Sequence, residues 1–205
     1  MDGSDHLTGI IALTLGSAWA SGINLYAAVL VLGILGAENV IKLPAGLEVL
    51  THPWVIGAAG CLYVIEFLAD KVPGVDTVWD ILHTFIRVPA GVILAVAAAG
   101  QIDTGLAVAA GAGGGTLSLG SHLLKSGTRA IVNLSPEPLS NWTLSVGEDV
   151  LVIAGIWSAL NHPWTFLFLL SGFVMITIWA IIRLWRILGH KLHILHVRSR
   201  RFLFR

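Results

Sequence analysis

Residues 75–100 read VDTVWDILHTFIRVPAGVILAVAAAG, a run whose two halves differ in character. After Pro89, the second half holds only small and apolar side chains, as a helix inside a lipid bilayer requires. The first half carries five polar residues at positions i, i+4, i+7, i+8 and i+11, which fall on one stripe of an α-helix: Asp76, Asp80, His83, Thr84 and Arg87. The run therefore predicts a transmembrane helix with a charged stripe. A helix lying in the membrane interface is the alternative.

The composition of the whole chain supports a membrane location. Of its 205 residues, 56% are apolar and 12% are charged, and the mean hydropathy is +0.83. Soluble domains have about 45–50% apolar and about 25% charged residues. This excludes a cytosolic enzyme, a nucleic-acid-binding domain and a disordered tail. We expect the lipid bilayer as a partner and no nucleic acid.

Apolar runs of span length predict an all-α, polytopic transmembrane helical bundle of about six spans, within a range of five to seven. The fifth run has only 17 residues and follows a predicted loop at 135–142, so a re-entrant fifth segment would leave five spans. The first run is long enough to be tilted or broken near Asn24. The predicted spans are residues 8–36, 54–70, 75–100, 104–133, 144–160 and 163–189.

A short internal echo suggests two related halves with broken or re-entrant helices, although so few identities also arise by chance. THPW at 51–54 is matched by NHPW at 161–164, and Ser-Gly at 21–22 is matched at 126–127. Membrane transporters are often built from such halves. In either case we expect one transmembrane domain, residues 1–189, followed by a basic tail, residues 190–205.

The charges are distributed unevenly. Residues 1–182 contain five basic and twelve acidic residues, whereas residues 183–205 contain seven basic residues and no acid. Because Lys and Arg of short loops stay in the cytoplasm, the C-terminus is predicted to be cytoplasmic. The tail is predicted to lie on anionic lipid. His190, His193 and His196 are poor metal ligands among so many cations, and the single Cys61 excludes an internal disulfide. We expect no metal and no cofactor.

Further ionisable residues lie within or beside other predicted spans, where each indicates a functional site by default. Glu66 and Asp70 share a helical face, although Asp70 could already lie at the water interface. Lys125 and Arg129 are one turn apart. Glu148 and Asp149 lie near the start of the fifth predicted span and have two interpretations. They complement the helix dipole as acids in a first turn, or they pair with a base across the bundle.

Two long motifs resemble those of a bacterial membrane family catalogued as domain of unknown function 4126. One is EFLADKVPGVD at 66–76 with the polar stripe that follows it. The other begins at Lys125 and runs through TRA and NLSPEP to Glu148 and Asp149, and SGINLY at 21–26 resembles the opening segment of the family. The resemblance covers most of residues 8–165 and implies that both polar clusters belong to one module. It implies no activity.

The favoured function is a transporter or channel for a small charged solute in the inner (plasma) membrane, and coupling to protons is one form it can take. Five residues are predicted to bind an anionic group: Arg87, Lys125, Arg129, Asn133 and Asn24. Seven are predicted to relay protons or bind a cation such as Mg²⁺ or Ca²⁺: Glu66, Asp70, Asp76, Asp80, His83, Glu148 and Asp149.

Two other functions remain open. In a membrane scaffold the buried charges would pair off and fix the helix register. In an intramembrane metal-dependent enzyme acting on a lipid or phosphate ester, Asp76 and Asp80 would bind the metal and His83 would act as general base. A homo-oligomer is compatible with each of the three functions.

Overall fold

The computed structural model describes residues 3–72, 74–100, 104–134 and 138–203, and these residues contain helices and no strands. A 3₁₀ helix, Ala45–Thr51, lies between the first two α-helices. The all-α bundle predicted from the sequence is confirmed. The α-helices are α1 (Gly3–Ala37), α2 (Pro53–Ala69), α3 (Val75–Ala99), α4 (Thr104–Val132), α5 (Pro138–Asn161) and α6 (Pro163–Leu203).

Four of the described helices are long and apolar enough to cross a membrane, namely α1, α3, α5 and α6. A fifth crossing results if the 3₁₀ helix and α2, which are bent by 68° relative to each other, count as one span. The chain is therefore a multi-pass membrane protein. The count reaches the lower end of the predicted range because α2 is short, and because α4 is rich in glycine and carries several polar side chains.

Prolines mark the starts of three helices. The expected loop at 135–142 is wrong in its second part, because α5 already begins at Pro138. A proline has no N–H to lose in the first turn of a helix, so it starts a helix as readily as it interrupts one. α5 consequently has 24 residues, enough to cross the membrane as one helix. The echoed His-Pro pairs have the same use, since Pro53 and Pro163 begin α2 and α6.

The first helix is broken at Asn24, whose φ of −145° and ψ of 96° are not helical. The Asn24 side chain caps the second half of α1 by accepting a hydrogen bond from the N–H of Ala27 at 2.9 Å. The first turns of α1 and the segment 42–46 that follows it line the same cavity of about 520 Å³, together with the end of α3. The start of α1 and the segment that follows its end therefore lie near each other, and α1 is a helix broken at Asn24.

Small residues let α1, α3 and α4 approach closely. A Cβ at Gly22 would collide with Ser121, one at Gly91 with Ser118, and one at Gly114 with Ala95. Packing of this kind is typical of membrane helices, which gain no hydrophobic driving force from one another in lipid.

The chain divides into two compact units, Met1–Phe168 and Leu169–Arg205. The first contains all the candidate site residues. In the second, the guanidinium of Arg183 lies 5.5 Å from the ring centre of Trp179. The side chains of residues 190–205, on which the predicted lipid contact depends, lie outside the described residues.

Candidate functional site

A single network of ion pairs joins α2, α3, α4 and α5 in the interior of the first unit. Arg87 of α3 connects two acids: its Nη2 lies 2.5 Å from Oε1 of Glu66, and its Nη1 lies 3.2 Å from Oδ1 of Asp80. Asp80 and Arg87 are two turns apart on the predicted stripe, and Glu66 comes from α2. All three side chains are buried. The structure thus brings together three residues that the sequence had assigned to two separate helices.

Lys125 of α4 extends this network to three carboxylates. Its Nζ lies 3.0 Å from Glu66, 3.3 Å from Asp70 and 3.5 Å from Glu148. The same ammonium donates a hydrogen bond of 2.9 Å to the backbone carbonyl of Ile23. One buried cation therefore connects α2, α5 and the break in α1.

Arg129, one turn further along α4, closes the network. Its Nη2 donates to Oδ2 of Asp70 at 2.7 Å and also to the carboxylate of Glu148. Its Nη1 donates to the backbone carbonyl of Asp70 at 2.9 Å. Asp70 is thus held at the end of α2 by a buried base, and only 2% of the residue is exposed.

The network contains three bases and four acids, so full ionisation leaves one excess negative charge within the apolar bundle. Some of its buried polar atoms have no hydrogen-bond partner among the described residues: Oε2 of Glu66, Oδ1 of Asp70, Oδ2 of Asp80, Nε of Arg87 and Nε of Arg129. Unpaired polar atoms and excess charge are costly in a medium of low dielectric constant. The network therefore contains one more acid, and more polar atoms, than are needed for its charges to pair with one another.

The broken helix α1 contributes both of its inner ends to this region. The Ile23 carbonyl that binds Lys125 lies where the first half of α1 ends, and the negative end of a helix dipole favours a cation. Asn24, at the start of the second half, donates from Nδ2 to Oδ1 of Asp149 at 2.8 Å. The hydroxyl of Tyr63 donates to the other oxygen of Asp149 at 2.9 Å. Asp149 is thus held at the break by neutral groups, whereas the adjacent Glu148 contacts cations.

His83 lies beside the network in a defined orientation. Its Nδ1 contacts the backbone carbonyl of Trp79 at 2.8 Å, so Nδ1 carries a proton. In the neutral imidazole, Nε2 then accepts from the hydroxyl of Tyr26 at 2.9 Å. The imidazole also stacks on the indole of Trp79, with 4.2 Å between ring centres.

A second histidine, His122 of α4, belongs to the site and was missed among the predicted site residues. Nη1 of Arg87 can only donate, so Nδ1 of His122 accepts from it at 3.1 Å. Nε2 then donates to the hydroxyl of Thr84 at 2.7 Å, and this hydroxyl donates to the carbonyl of Asp80. The sequence contained the signal, because His122 lies three residues before Lys125 and so shares its helical face.

Asp76 and Asn133 also lie apart from the ion pairs, and they contact each other. Oδ1 of Asp76 accepts from the backbone N–H groups of Gly74 and Thr77 at 2.8 and 2.6 Å. Its Oδ2 accepts from Nδ2 of Asn133 at 2.8 Å, and Asn133 in turn accepts from Asn141 at 3.0 Å. These contacts tie the start of α3 to the segment between α4 and α5.

The carboxylates are dispersed among the bases and do not converge on a point. Within the described part of the chain, no group of three or more His, Cys, Asp or Glu residues could hold a metal ion. Asp76 and Asp80, the expected metal ligands of an enzyme, have different partners. The structure therefore does not bring Asp76 and Asp80 together on a shared partner.

A groove of about 560 Å³ between α4 and α5 leads to Glu148. Its walls are mostly apolar, and they are formed by Val132, Leu139, Ser140, Thr143, Leu144, Gly147 and Leu151. The side chain of Glu148 is 10% exposed, against at most 3% for the other three acids of the network. Glu148 is therefore the acid of the network that is most accessible from outside.

The fold and the site together define a class: a multi-pass α-helical membrane protein with a buried network of ion pairs beside a broken helix. Residues 11–183 match the model of the family described as a domain of unknown function (DUF4126), and the chain belongs to this family. The resemblance predicted from the two long motifs is confirmed, and the matched region includes every residue of the network. No curated protein and no solved structure matches the chain.

Proposed function

We propose that the protein transports a small charged solute across the membrane, with coupling to protons, and that the buried network is its transport site. The observation that carries this proposal is the break in α1. A discontinuous helix whose inner ends contact charged groups within the membrane is the arrangement used by secondary transporters. Here the Ile23 carbonyl binds Lys125, and Asn24 binds Asp149.

The bases of the network are the proposed ligands of an anionic solute. Arg87, Lys125 and Arg129 are buried and bound to carboxylates, which an incoming anion can replace. Asn24 adds an amide at the break. Asn133 is left out of the proposed site because its side chain is bonded to Asp76 at the start of α3 and, among the described residues, to none of the three bases.

The proposed proton carriers are the network acids and the histidine beside them. Glu66 and Asp80 share Arg87, so a proton on either acid would release part of the hold on this base. His83 bonds to the Tyr26 hydroxyl on one side and to a backbone carbonyl on the other, and it can exchange a proton through Nε2. The excess of one acid over the bases provides a place for such a proton.

A scaffold is the second candidate, and the pairing of all three buried bases with carboxylates favours it. A purely structural network gains nothing from an additional acid or from unpaired polar atoms, because both are costly in the membrane. A scaffold also has no need of a charged residue at the base of a groove. These two features favour transport.

Flux measurements in proteoliposomes test the proposal. Vesicles containing the wild-type protein and a pH-sensitive dye would be exposed to a panel of small anions and cations, with and without a pH gradient. We expect at least one anion to move in a pH-dependent manner and the flux to be lost in Arg129→Gln. The charge control is Lys42→Gln, an exposed base outside the network. Equal inertness of wild type, Arg129→Gln and empty vesicles toward the whole panel would rule transport out.

The remaining proposals concern location and partners. The seven basic residues after residue 182 favour a cytoplasmic C-terminus in the inner (plasma) membrane and a contact with anionic lipid. Labelling of a cysteine introduced near Arg205, from one side of the membrane at a time, tests the orientation. Homo-oligomer formation is likewise a proposal, which the molar mass of the protein in detergent would test.

A further inference from the structure

We propose that Glu148 occupies the site of an external anion: a solute with a carboxylate or phosphate group and an apolar body enters through the groove between α4 and α5 and replaces the Glu148 carboxylate on Lys125 and Arg129. This inference deepens the proposed function by assigning its substrate class and entry route. That the bound solute is a transported substrate rests on the transport proposal. The binding event itself can be measured without any flux.

The two bases form a convergent anion site. Oε2 of Glu148 contacts both the ammonium of Lys125, at 3.5 Å, and the guanidinium of Arg129. Both bases are 1% exposed, so the site is desolvated and holds an oxyanion strongly. Nε of Arg129 has no partner among the described residues and is free to donate to a further oxygen.

Glu148 is the acid that can leave most easily. Asp70 is held by the same two bases, but the backbone carbonyl of Asp70 is also bonded to Arg129. Glu66 lies between Arg87 and Lys125 and is fully buried. Glu148 alone among the network residues lines the groove, so its side chain can swing outward as a solute enters.

The walls of the groove determine which anion fits. Among the residues that the structure describes, the groove is lined by aliphatic side chains and Gly147, apart from Glu148 and the hydroxyls of Ser140 and Thr143. A hydrated inorganic ion would lose its water there without replacement, whereas an anion with an apolar body buries that body against Leu144 and Leu151. The site is therefore expected to prefer an organic carboxylate, or a phosphate carried on an apolar body, over a bare ion.

Calorimetry of the purified protein in detergent tests the site with three probes that separate charge from apolar body: butyrate, acetate and butanol. We expect butyrate to bind at least tenfold more tightly than acetate and butanol to show no saturable binding. Equal behaviour of butyrate and butanol would overturn the proposal, because the two bases would then contribute nothing.

Variants of Glu148 and of the groove make the test specific. Glu148→Gln removes the competing charge and is expected to tighten butyrate binding at least tenfold, whereas Glu48→Gln, which neutralises an exposed acid outside the network, leaves it unchanged. Gly147→Leu is expected to weaken binding at least tenfold by filling the groove. A Cβ at Gly147 would meet no atom within 4 Å, so the backbone there has room for a side chain. Gly57→Leu, at an equally open position on α2, is its control.

The anionic group could belong to a free solute or to a lipid headgroup, and nanodiscs distinguish the two. If phosphatidylglycerol weakens butyrate binding in the wild type and not in Gly147→Leu, a headgroup shares the site. If it has no effect, the free carboxylate is the ligand. If Glu148→Gln and Gly147→Leu both bind butyrate as the wild type does, the anion site is wrong even where flux is observed. If they behave as expected and no solute is transported, the site stands and the transport proposal fails.

Discussion

The two halves of α3 pack against the same neighbours, α1 and α4, by opposite means. In the half that begins at Val75, polar side chains reach across to the neighbours, as Arg87 does to His122 and His83 to Tyr26. In the half that follows Pro89, contact is made by the smallest residues, with Gly91 against Ser118 and Ala95 against Gly114.

The difference separates the half of α3 that stabilises the bundle from the half that we assign to its function. Close packing of small residues stabilises a pair of helices in lipid and needs no charged side chain. The polar half is expensive by comparison and contains unpaired atoms, such as Oδ2 of Asp80 and Nε of Arg87. If stability were the only requirement, small and apolar residues could occupy the first half of α3 as they do the second. The polar half is therefore where we place the function.

Removal of Arg87 tests the polar half with the largest expected effect. Arg87→Leu leaves Glu66 and Asp80 without this base and should lower the free energy of unfolding by about 3–5 kcal/mol, the usual cost of an uncompensated buried charge. Unfolding in mixed micelles by added denaturing detergent measures it. Lys42→Leu, at an exposed base, is the control.

A double variant shows whether the charge or the shape of Arg87 matters. In Arg87→Leu/Asp80→Leu the unpaired Asp80 is removed, while Glu66 keeps its bond to Lys125. We expect at least half of the lost stability to return. If Arg87→Leu is as stable as Lys42→Leu, the polar half is not held by its ion pairs and the comparison fails.

Two neighbouring glycines of α4 test the small-residue half. A Cβ at Gly114 would collide with Ala95 and would lie 3.0 Å from the backbone oxygen of Gly91, whereas a Cβ at Gly113 meets nothing within 4 Å. Gly114→Ala should destabilise the protein by about 1–3 kcal/mol through overpacking. Gly113→Ala should be neutral or stabilising by up to about 1 kcal/mol, because alanine favours a helix. The same unfolding assay measures both, and equal effects would mean that α3 and α4 are not in close contact here.

The sequence predicted the bounds of the helices better than the contacts between their side chains. The bounds of α3 and α4 agree with the predicted spans to within one residue, because apolar runs, prolines and glycines mark helix ends locally. The pairing of Asp80 with Arg87 also follows from helical spacing on one stripe.

The rest of the site depends on the tertiary arrangement. The bond from Lys125 to Glu66 joins residues 59 apart in the chain, and no local pattern specifies it. Asp76 shares the stripe with Asp80, but it lies so near the start of α3 that backbone N–H groups bind it instead. An asparagine in an apolar run indicates a break, yet the direction in which α1 continues after Asn24 depends on residues far away in the chain, such as His83, which bonds to Tyr26.

α1 combines both kinds of contact that distinguish the halves of α3. Its first half packs on small residues, and its break at Asn24 lies among charged side chains. Asn24→Ala removes the cap on Ala27 and the bond to Asp149, and it should cost about 1 kcal/mol of stability, as loss of a helix cap usually does. Asn161→Ala is the control, because Asn161 is exposed and its side chain donates to the carbonyl of Trp157 within its own helix. If the break serves transport, Asn24→Ala should reduce the flux in proteoliposomes by more than its small loss of stability explains, while Asn161→Ala leaves flux unchanged. A stable Asn24→Ala variant with full flux would show that the break is only a bend in the backbone.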